Sequence, residues 1–262
     1  ELGVRYVGPV QGHSLGSLLE VFEMAKRYDG PILIHCVTRK GRGYAPAQTS
    51  PDKFHGAGPF VLSTGKPAND ERLPSLSAVF GKTMVKIGSA DDKVVAITAA
   101  MVQGTGLAEF ADKFPERLFD VGIAEQHAVT FAAGLGLSGF KPVVAIYSTF
   151  LQMAYDQIYH DVCLQDVPVV FAVDRAGVVP DDGPTHQGIN DIAYLRHMPN
   201  MILMAPKDEN ELQHMVYSAL AYGHPAAIRF PKGKGTGVAM DDRPTILPLG
   251  KSEMLKEGKD LL

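Results

Sequence analysis

Hydrophobic positions follow two kinds of spacing along most of this chain. Nearly continuous apolar runs bounded by Gly, Pro or polar residues are typical of strands buried on both faces of a parallel sheet. The runs are Val94–Thr98, Pro142–Ile146, Val167–Val173, Met201–Met204 and Ala226–Phe230. Apolar residues at helical spacing lie between them and predict helices over Ser77–Ile87, Ala124–Leu137, Thr149–Leu164 and Asp208–Tyr222. The alternation predicts βαβ units, and therefore an α/β fold in which helices cover both faces of a parallel sheet.

The first part of the chain repeats this alternation on a smaller scale. A strand-like segment comes at once, Ser14–Tyr28 has the pattern of an amphipathic helix, and Pro31–Val37 reads as a buried strand. The stretch from Arg39 to about Pro74 is rich in Gly, Pro, Lys and Ser without a clear period. Because it is too long for an ordinary connection, it is predicted to be a functional loop, an interdomain linker, or both.

These changes of pattern predict four parts. They are the segment before Arg39, the irregular stretch from Arg39 to about Pro74, a second unit that starts near Ser75, and a further domain that is expected to open after Gly237. The chain lacks an initial Met and stops as a new unit begins, so we expect a fragment of a longer protein.

Composition narrows the class of protein. The 262 residues are 45% hydrophobic and 21% charged, with a net charge of -4 and a pI near 6.1. Without a basic stripe or a long apolar span, neither nucleic acid nor a membrane is expected as a partner. Cys36 and Cys163 lie in apolar runs and read as reduced thiols, which favours a cytoplasmic location. No Cys or His cluster has metal-ligand spacing, so no metal ligand is predicted within the chain.

Polar loops follow most of the predicted strands. They are Thr98–Gly106, Tyr147–Phe150, Asp174–Gly188 and Pro231–Gly235. Because the carboxyl ends of parallel strands meet at one edge of the sheet, these loops are predicted to build a common site there.

Glu125 is an acidic residue inside a small, apolar run at a strand-to-helix transition. Carboxylates are rarely buried without a partner or a function, so Glu125 is a candidate to meet a ligand nitrogen. His127 is two residues away and faces another side of the helix, so the two do not form a dyad. For His127 the favoured interpretation is a structural histidine bonded to the backbone.

The Asp174–Gly188 loop combines charge with a group that titrates near neutrality. Arg175 suits phosphate or carboxylate recognition, although a salt bridge from Arg175 to one of the loop aspartates is the alternative. His186 is the strongest candidate for proton transfer. Arg229 and Lys232 place two cations at a strand end, where they serve either an anionic substrate or a solvated rim.

Weaker candidates lie in two other segments. Ser148 or Thr149 could cap a helix, and Tyr147 or Phe150 could offer an aromatic face to a heterocycle, although core packing explains these residues equally well. The cationic segment Thr38–Tyr44, which includes Lys40, could cradle phosphate but has no Walker or dinucleotide pattern, and His55 is an isolated loop histidine.

Several ordered motifs together resemble one family. The chain resembles the 1-deoxy-D-xylulose-5-phosphate synthases, thiamine-diphosphate enzymes related to transketolase, along nearly its whole length. The motifs are Tyr6–His13, Lys40–Tyr44, Phe54-His55, Phe119–Thr130, Ala145–Gln152, Asp174–Gly177 and Thr185–Gly188. The resemblance implies a thiamine-diphosphate-binding fold. Residues 1–44 would end a diphosphate-type domain, 45–74 would form a linker and active-site loop, 75–237 the pyrimidine-binding domain, and 238–262 would open a transketolase C-terminal-like domain.

The resemblance also implies an activity and roles for residues. Pyruvate would condense with D-glyceraldehyde 3-phosphate, with loss of carbon dioxide, to give 1-deoxy-D-xylulose 5-phosphate in a cytoplasmic homodimer, or in the plastid stroma of a plant. Glu125, His55 and His186 would be catalytic. Cofactor contacts would come from Glu125, Phe150, Met101, Ile123 and Lys40, and substrate contacts from Tyr147, Ser148, Arg175, Asp182, Arg229 and Lys232. Thiamine diphosphate and Mg²⁺ would take their remaining ligands from a segment upstream, so this chain alone is expected to be inactive.

The chain departs from the family pattern at five positions. These are Gln11, Val102, Gln103, Met153 and Lys232, where acidic or arginine side chains are common. Lys232 keeps the charge without the bidentate fork of arginine, and Met153 loses the charge, which puts acceptor affinity in question. Two alternatives remain: another transketolase-like enzyme or 2-oxoacid dehydrogenase β subunit, and a non-catalytic partner that keeps the fold.

Overall fold

The computed structural model of the chain describes residues 3–68, 73–180, 182–254 and 258. The chain divides into two compact units, residues 1–70 and residues 71–262. No helix in the described ranges is long and apolar enough to cross a membrane.

The first unit is a small βαβ arrangement followed by loops. Strands β1 (Arg5–Gln11) and β2 (Ile32–Val37) pair in parallel, and helix α1 (Leu15–Lys26) connects them. The α1 start matches the prediction, because the Ser14 hydroxyl accepts the Ser17 N–H at 3.3 Å as a cap. A short helix, α2 (Ala45–Thr49), opens the predicted linker.

The second unit contains most of the regular structure. In chain order its elements are α3 (Leu76–Ala90), β3 (Val94–Thr98), α4 (Ala108–Lys113), β4 (Leu118–Asp120), α5 (Glu125–Leu137), β5 (Lys141–Tyr147), α6 (Ser148–Leu151), α7 (Tyr155–Gln157), β6 (Val170–Asp174), α8 (Asp191–Leu195), β7 (Ile202–Met204), α9 (Glu209–Tyr222) and β8 (Ala226–Arg229). The six strands form one parallel sheet in the order β4-β3-β5-β6-β8-β7. The predicted α/β fold with a parallel sheet is therefore confirmed.

Helices cover both faces of this sheet. Along β6, Val170 and Ala172 join a core with α3 and α9, whereas Phe171 and Val173 join a second core with α5. All five residues of β6 are buried, which explains why the strand reads as a continuous apolar run rather than as an alternation. The strand starts at Val170, later than predicted, because Pro168 cannot donate to a strand ladder.

One predicted helix is not continuous. The segment predicted as Thr149–Leu164 consists of α6, a 3₁₀ turn over Gln152–Ala154, α7, and a π-helical stretch over Ile158–Cys163. Its buried positions still follow a helical face, so the hydrophobic pattern predicted the surface that packs but not the hydrogen-bonding pattern.

Residues 236–247 run along α9 as an irregular segment, which we call the strap. The Glu209 carboxylate accepts N–H groups from Thr236, Gly237 and Val238 at 2.9, 2.6 and 3.2 Å. Farther along α9, His214 Nδ1 accepts the Thr245 N–H at 2.9 Å, and Ser218 Oγ accepts the Leu247 N–H at 2.8 Å. The prediction that 238–262 opens a further domain stays a prediction, and residues 255–257 and 259–262 of that range lie outside the described part.

Candidate active site

Functional side chains from several elements meet at the carboxyl edge of the second unit's sheet. Neighbouring strands end in register, with Thr98 opposite Asp120, Tyr147 opposite Asp174, and Val173 opposite Arg229. The residues that follow these strand ends are therefore brought to one side of the unit, as the loop pattern predicts.

Glu125 is the first residue of α5 and is 3% exposed. Its Oε2 atom is buried and makes no hydrogen bond within the described residues. Leaving a buried carboxylate oxygen unpaired costs free energy of roughly 1–3 kcal/mol or more. The position at a helix amino terminus offsets part of this cost, because the helix dipole favours negative charge there. The expected burial is confirmed, and the unpaired oxygen is available to a donor outside the chain.

Asp120 organises the loops on either side of Glu125. Its Oδ1 atom accepts the Ala100 N–H at 2.7 Å and the Gly122 N–H at 3.0 Å. Ala100 has a φ of 58°, an uncommon conformation for a residue with a side chain, and the hydrogen bond to Asp120 helps to hold it. Sequence reasoning did not select Asp120, although a carboxylate at a strand end was the available signal.

Met101 and Ile123 follow the strands that Asp120 connects. Met101 is half-buried, whereas the Ile123 side chain is 87% exposed. Their predicted contact with the cofactor stays a prediction. His127 is exposed and stacks on Phe131 with 5.9 Å between ring centroids. No hydrogen bond from His127 to the backbone is found within the described residues, so that part of the expectation is wrong, whereas the contact with Phe131 agrees with a structural role.

The rings of Tyr147, Phe150 and His186 pack together at the end of β5. Phe150 lies 5.8 Å from Tyr147 in a stacked arrangement and 5.2 Å from His186 edge-on, measured between centroids. His186 is half-buried, and its Nδ1 atom lies 2.9 Å from the Thr185 hydroxyl oxygen. The two rings predicted for the site, Phe150 and His186, are therefore in direct contact.

Ser148 and Thr149 do not cap α6. The helix begins at Ser148 without a side-chain cap, and the Thr149 hydroxyl donates instead to the Thr185 carbonyl at 2.9 Å. The Ser148 hydroxyl is buried without a hydrogen-bond partner among the described atoms, beneath Gly188, where an added Cβ would lie 2.8 Å from Ser148 Oγ. The capping prediction is wrong, and the role of Ser148 in substrate binding stays a prediction.

Arg175, Asp182 and Lys232 form a charged cluster. The Arg175 guanidinium lies 3.9 Å above the Tyr147 ring and pairs with Asp182. Lys232 Nζ lies 3.0 and 3.1 Å from the two Asp182 oxygens. Partial burial alone would raise the pKa of Asp182, but the Lys232 hydrogen bond and the Arg175 and Lys232 charges together lower it. The loop salt bridge, which the sequence left as an alternative, is present.

A cleft of about 330 Å³ adjoins this cluster. Gln103, Gly104, Arg175 and Lys232 line it together with the start of α3. An added Cβ on Gly104 would lie 1.7 Å from the Tyr147 hydroxyl, so only glycine allows Tyr147 its present position. Burial raises the pKa of Tyr147, which keeps its hydroxyl protonated at neutral pH.

Arg229 is engaged in a buried ion pair. Its Nε and Nη2 atoms lie 2.9 and 3.3 Å from the two oxygens of Asp191, which is 1% exposed. Sequence reasoning missed Asp191, because an aspartate at the start of a short helix reads as a surface residue. The predicted substrate contact of Arg229 stays a prediction.

The first unit brings two predicted residues together. Lys40 Nζ lies 3.1 Å from His55 Nδ1, and both side chains are exposed. Because an ammonium group only donates, His55 accepts through Nδ1. The rings of Tyr44, Phe54 and Phe60 pack together with centroid distances of 5.2 to 5.8 Å and hold this loop.

No group of three or more His, Cys, Asp or Glu side chains in the described ranges is placed to hold a metal ion. Of the positions that depart from the family pattern, Met153 is 53% exposed and Val102 packs against the core between the sheet and α3.

Comparison with known families and structures decides the relationship. The family model described as "Transketolase, pyrimidine binding domain" matches residues 73–236. The chain belongs to this family. The match begins and ends close to the predicted 75–237 range. The model of the 1-deoxy-D-xylulose-5-phosphate synthase family also matches residues 1–38, so the resemblance inferred from the motifs is confirmed.

Two 1-deoxy-D-xylulose-5-phosphate synthases are similar to nearly the whole chain. The chain is 58% identical over 261 residues to 1-deoxy-D-xylulose-5-phosphate synthase 1 of Geobacter sulfurreducens and 59% identical over 262 residues to the synthase of Natranaerobius thermophilus. It spans 41% and 42% of the length of these relatives.

Solved structures of transketolases are similar as well. A split-gene transketolase, described as an inactive β4 tetramer, matches with a TM-score of 0.60 and 32% identity over 71% of this chain and 60% of that one. Pichia stipitis transketolase in complex with sedoheptulose 7-phosphate matches with a TM-score of 0.54 and 19% identity over 61% of this chain and 25% of that one, which shows the fold alone.

Proposed function

We propose that this chain is the pyrimidine-binding part of a thiamine-diphosphate-dependent 1-deoxy-D-xylulose-5-phosphate synthase. The complete protein condenses pyruvate with D-glyceraldehyde 3-phosphate and releases carbon dioxide. Identities of 58 and 59% to synthases over nearly the whole chain support this substrate pair.

The observation that carries the proposal is the unpaired carboxylate oxygen of Glu125. A buried acceptor at the start of α5 is suited to a nitrogen-bearing ring, and Phe150 packs against the same apolar core as α5. The residues present therefore fit the aminopyrimidine of thiamine diphosphate. When bound with Mg²⁺, this cofactor supplies the electron sink for decarboxylation and carbon–carbon bond formation.

The chain's own residues take positioning and proton-transfer roles. Glu125 holds the pyrimidine through a charge-assisted hydrogen bond, and Phe150 offers a ring face. Met101 and Ile123 complete the apolar surroundings of the cofactor. His186, held against Phe150, moves a proton at the substrate oxygen. In the first unit, Lys40 orients His55. His55 acts as a second proton-transfer group, and Lys40 acts as a cofactor contact.

The charged cluster of Arg175, Asp182 and Lys232 binds the acceptor substrate in this proposal. Arg175 and Lys232 bind the phosphate of glyceraldehyde 3-phosphate, with Tyr147, Ser148, Asp182 and Arg229 around it. Asp182 pairs with both cations in the present arrangement and leaves the cluster with one net positive charge, so the incoming phosphate must compete with that carboxylate. We infer that Asp182 moderates phosphate affinity and that the lysine at position 232 binds phosphate through a single point rather than a fork.

The test uses the complete protein with pyruvate and glyceraldehyde 3-phosphate. Glu125→Gln is expected to lower product formation by roughly 100-fold or more, because the amide cannot carry the charge that the cofactor nitrogen requires. Glu109→Gln, an exposed glutamate in the first turn of α4, is the matched control and should retain activity. Full activity of Glu125→Gln would contradict the role of Glu125 at the cofactor, and a complete wild-type protein that forms no product would support a non-catalytic partner.

A transketolase activity is the second candidate, favoured by the 32% identity to a split-gene transketolase. Incubating the complete protein with a ketose phosphate donor in place of pyruvate separates the two. Product from pyruvate, and none from the ketose donor, is the expected result.

We also propose that the complete protein is a cytoplasmic homodimer. β4, which precedes α5 along the chain, is an edge strand of the sheet, and a second copy would cover this edge. Sedimentation of the complete protein gives the oligomeric state directly.

A further inference from the structure

Asp174 is a buried acid for which the proposed reaction gives no role. It ends β6, is 1% exposed, and lies opposite Tyr147 in the sheet. Its Oδ2 atom accepts the Ser77 hydroxyl at 2.6 Å, across 97 residues of sequence, and its Oδ1 atom accepts the Arg175 N–H at 2.6 Å. A carboxylate that bonds both to a distant helix and to the next backbone amide ties two parts of the edge together.

The backbone of Arg175 adopts an uncommon conformation that the hydrogen bond from Asp174 can stabilise. Arg175 has a φ of 56°, in the left-handed region that residues with side chains rarely adopt. The strand must turn sharply there to place the guanidinium 3.9 Å above the Tyr147 ring and against Asp182. The hydrogen bond from Asp174 to the Arg175 N–H helps to hold this conformation.

The surrounding packing limits alternatives to the turn. An added Cβ on Gly188 would lie 2.2 Å from the Arg175 carbonyl oxygen, so that carbonyl is packed directly against the returning loop. Gly177 and Gly188 exchange two backbone hydrogen bonds of 2.6 and 2.8 Å, which close the loop that carries Asp182 and His186. A movement of the turn at Arg175 would therefore move the loop as well.

We propose that Asp174 is a positioning residue, which, with Ser77 as its support on α3, holds the Arg175 turn and thereby sets affinity for the phosphorylated acceptor. This proposal rests on the proposed function, because it takes Arg175 as a phosphate contact. Burial raises the pKa of Asp174 to about 6, because the charged carboxylate is less stable in this environment than in water. This cost is consistent with a structural requirement for the side chain at position 174.

In this proposal the hydrogen bonds of Asp174, rather than its charge, hold the Arg175 turn. In Asp174→Asn the amide oxygen can still accept the Arg175 N–H, and the amide nitrogen can donate to the Ser77 oxygen. In Asp174→Ala both bonds are lost. The two variants therefore separate positioning from charge at one site.

Kinetics of the complete holoenzyme provide the first test. Asp174→Ala is expected to raise the KM for glyceraldehyde 3-phosphate about 10-fold or more, with the KM for pyruvate within about twofold of wild type. Asp174→Asn should restore the acceptor KM to within about threefold. An Asn variant as impaired as the Ala variant, or equal effects on both substrates, would overturn the proposal.

Ser77 gives an independent pair if Asp174→Ala does not fold. Ser77→Ala removes one of the two bonds and should raise the acceptor KM about two- to fivefold, and Ser77→Thr, which keeps the hydroxyl, should restore it. Controls are Ser89→Ala, also on α3, and Asp112→Asn on α4, both of which are exposed. An unchanged acceptor KM in Ser77→Ala contradicts the supporting role of α3.

Amide hydrogen exchange separates this proposal from the proposed function. The segment 174–180 should exchange faster in Asp174→Ala and Ser77→Ala than in wild type, and at the wild-type rate in Asp174→Asn. If the complete wild-type protein makes no product, the proposed function fails, yet the exchange pattern still decides whether Asp174 holds the turn. Wild-type exchange in both Asp174→Ala and Ser77→Ala overturns the positioning role itself.

Discussion

The Glu209 carboxylate is expected to hold the strap onto α9, and removing it should destabilise the second unit measurably. Glu209 is 2% exposed and accepts three backbone N–H groups and the Thr236 hydroxyl. Burial alone would raise the pKa of Glu209, but the backbone donors, its own N–H and those of Thr236 and Gly237, lower it from 4.5 to about 2.

The magnitude follows from the hydrogen bonds. Hydrogen bonds to a charged acceptor contribute about 1.5–3 kcal/mol each, but the strap residues Thr236–Val238 are themselves exposed, and their N–H groups can return to water. The net loss should therefore be that of one or two such bonds. We expect Glu209→Ala to lower the free energy of unfolding by about 3 kcal/mol at neutral pH.

The assay is urea denaturation followed by circular dichroism at several pH values. Because the folded pKa is depressed, the contribution of Glu209 is fully present above about pH 4.5 and is lost as the pH falls towards about 2. The gap between wild type and Glu209→Gln should narrow over the same range. Glu109→Ala is the control, since Glu109 also lies in the first turn of a helix but is exposed. A loss for Glu209→Ala no larger than that of Glu109→Ala would refute the reasoning.

Three further outcomes follow from the contacts described above. Arg229→Ala leaves the buried Asp191 charge unpaired and should cost about 3–5 kcal/mol of unfolding free energy, most of which Asp191→Asn in the same chain should restore; thermal denaturation that shows no restoration contradicts a specific pair. Gly104→Ala should destabilise the unit by roughly 2 kcal/mol or more through its clash with the Tyr147 hydroxyl, and Tyr147→Phe should relieve part of that loss, whereas equal losses in both backgrounds would place the clash elsewhere. A chain that stops after Gly237 should lose several kcal/mol because α9 loses its bonds to Thr245 and Leu247, and an unfolding midpoint equal to that of the full chain would show that residues 238–247 of the strap add nothing.

The elements of the second unit could be predicted where hydrophobic periodicity was strong. In α9, Leu212, Val216 and Ala219 keep helical spacing, and all three are buried. The polar face of the same helix was not predictable as an interface, because Glu209 and His214 have the pattern of a solvated surface. Their partners lie in an irregular segment about thirty residues farther along the chain, and no local pattern indicates that pairing.

In the candidate site, too, some features could be predicted from the sequence and others could not. The burial of Glu125 was predicted because a carboxylate in an apolar run is unusual. The chemistry of Arg175 could be stated only as two alternatives, since anion binding and a loop salt bridge need the same residue types. Asp174 and Asp191 were missed, because aspartates at element ends are common and only the three-dimensional structure shows that these two are buried.

The position of β8 in the sheet has a consequence for how this unit forms on the ribosome. β8, the last of the described strands, lies between β6 and β7, and β7 pairs with β8 alone among them. Until residues 226–229 emerge, β7 has no ladder to join, and β6 has a bare edge exposed to other chains. Synthesis therefore leaves β6 unpaired on one side until β8 emerges, and Arg229 arrives with the strand that pairs with β6. A translational pause before β8 would hold the nascent chain while this strand edge is open to other chains.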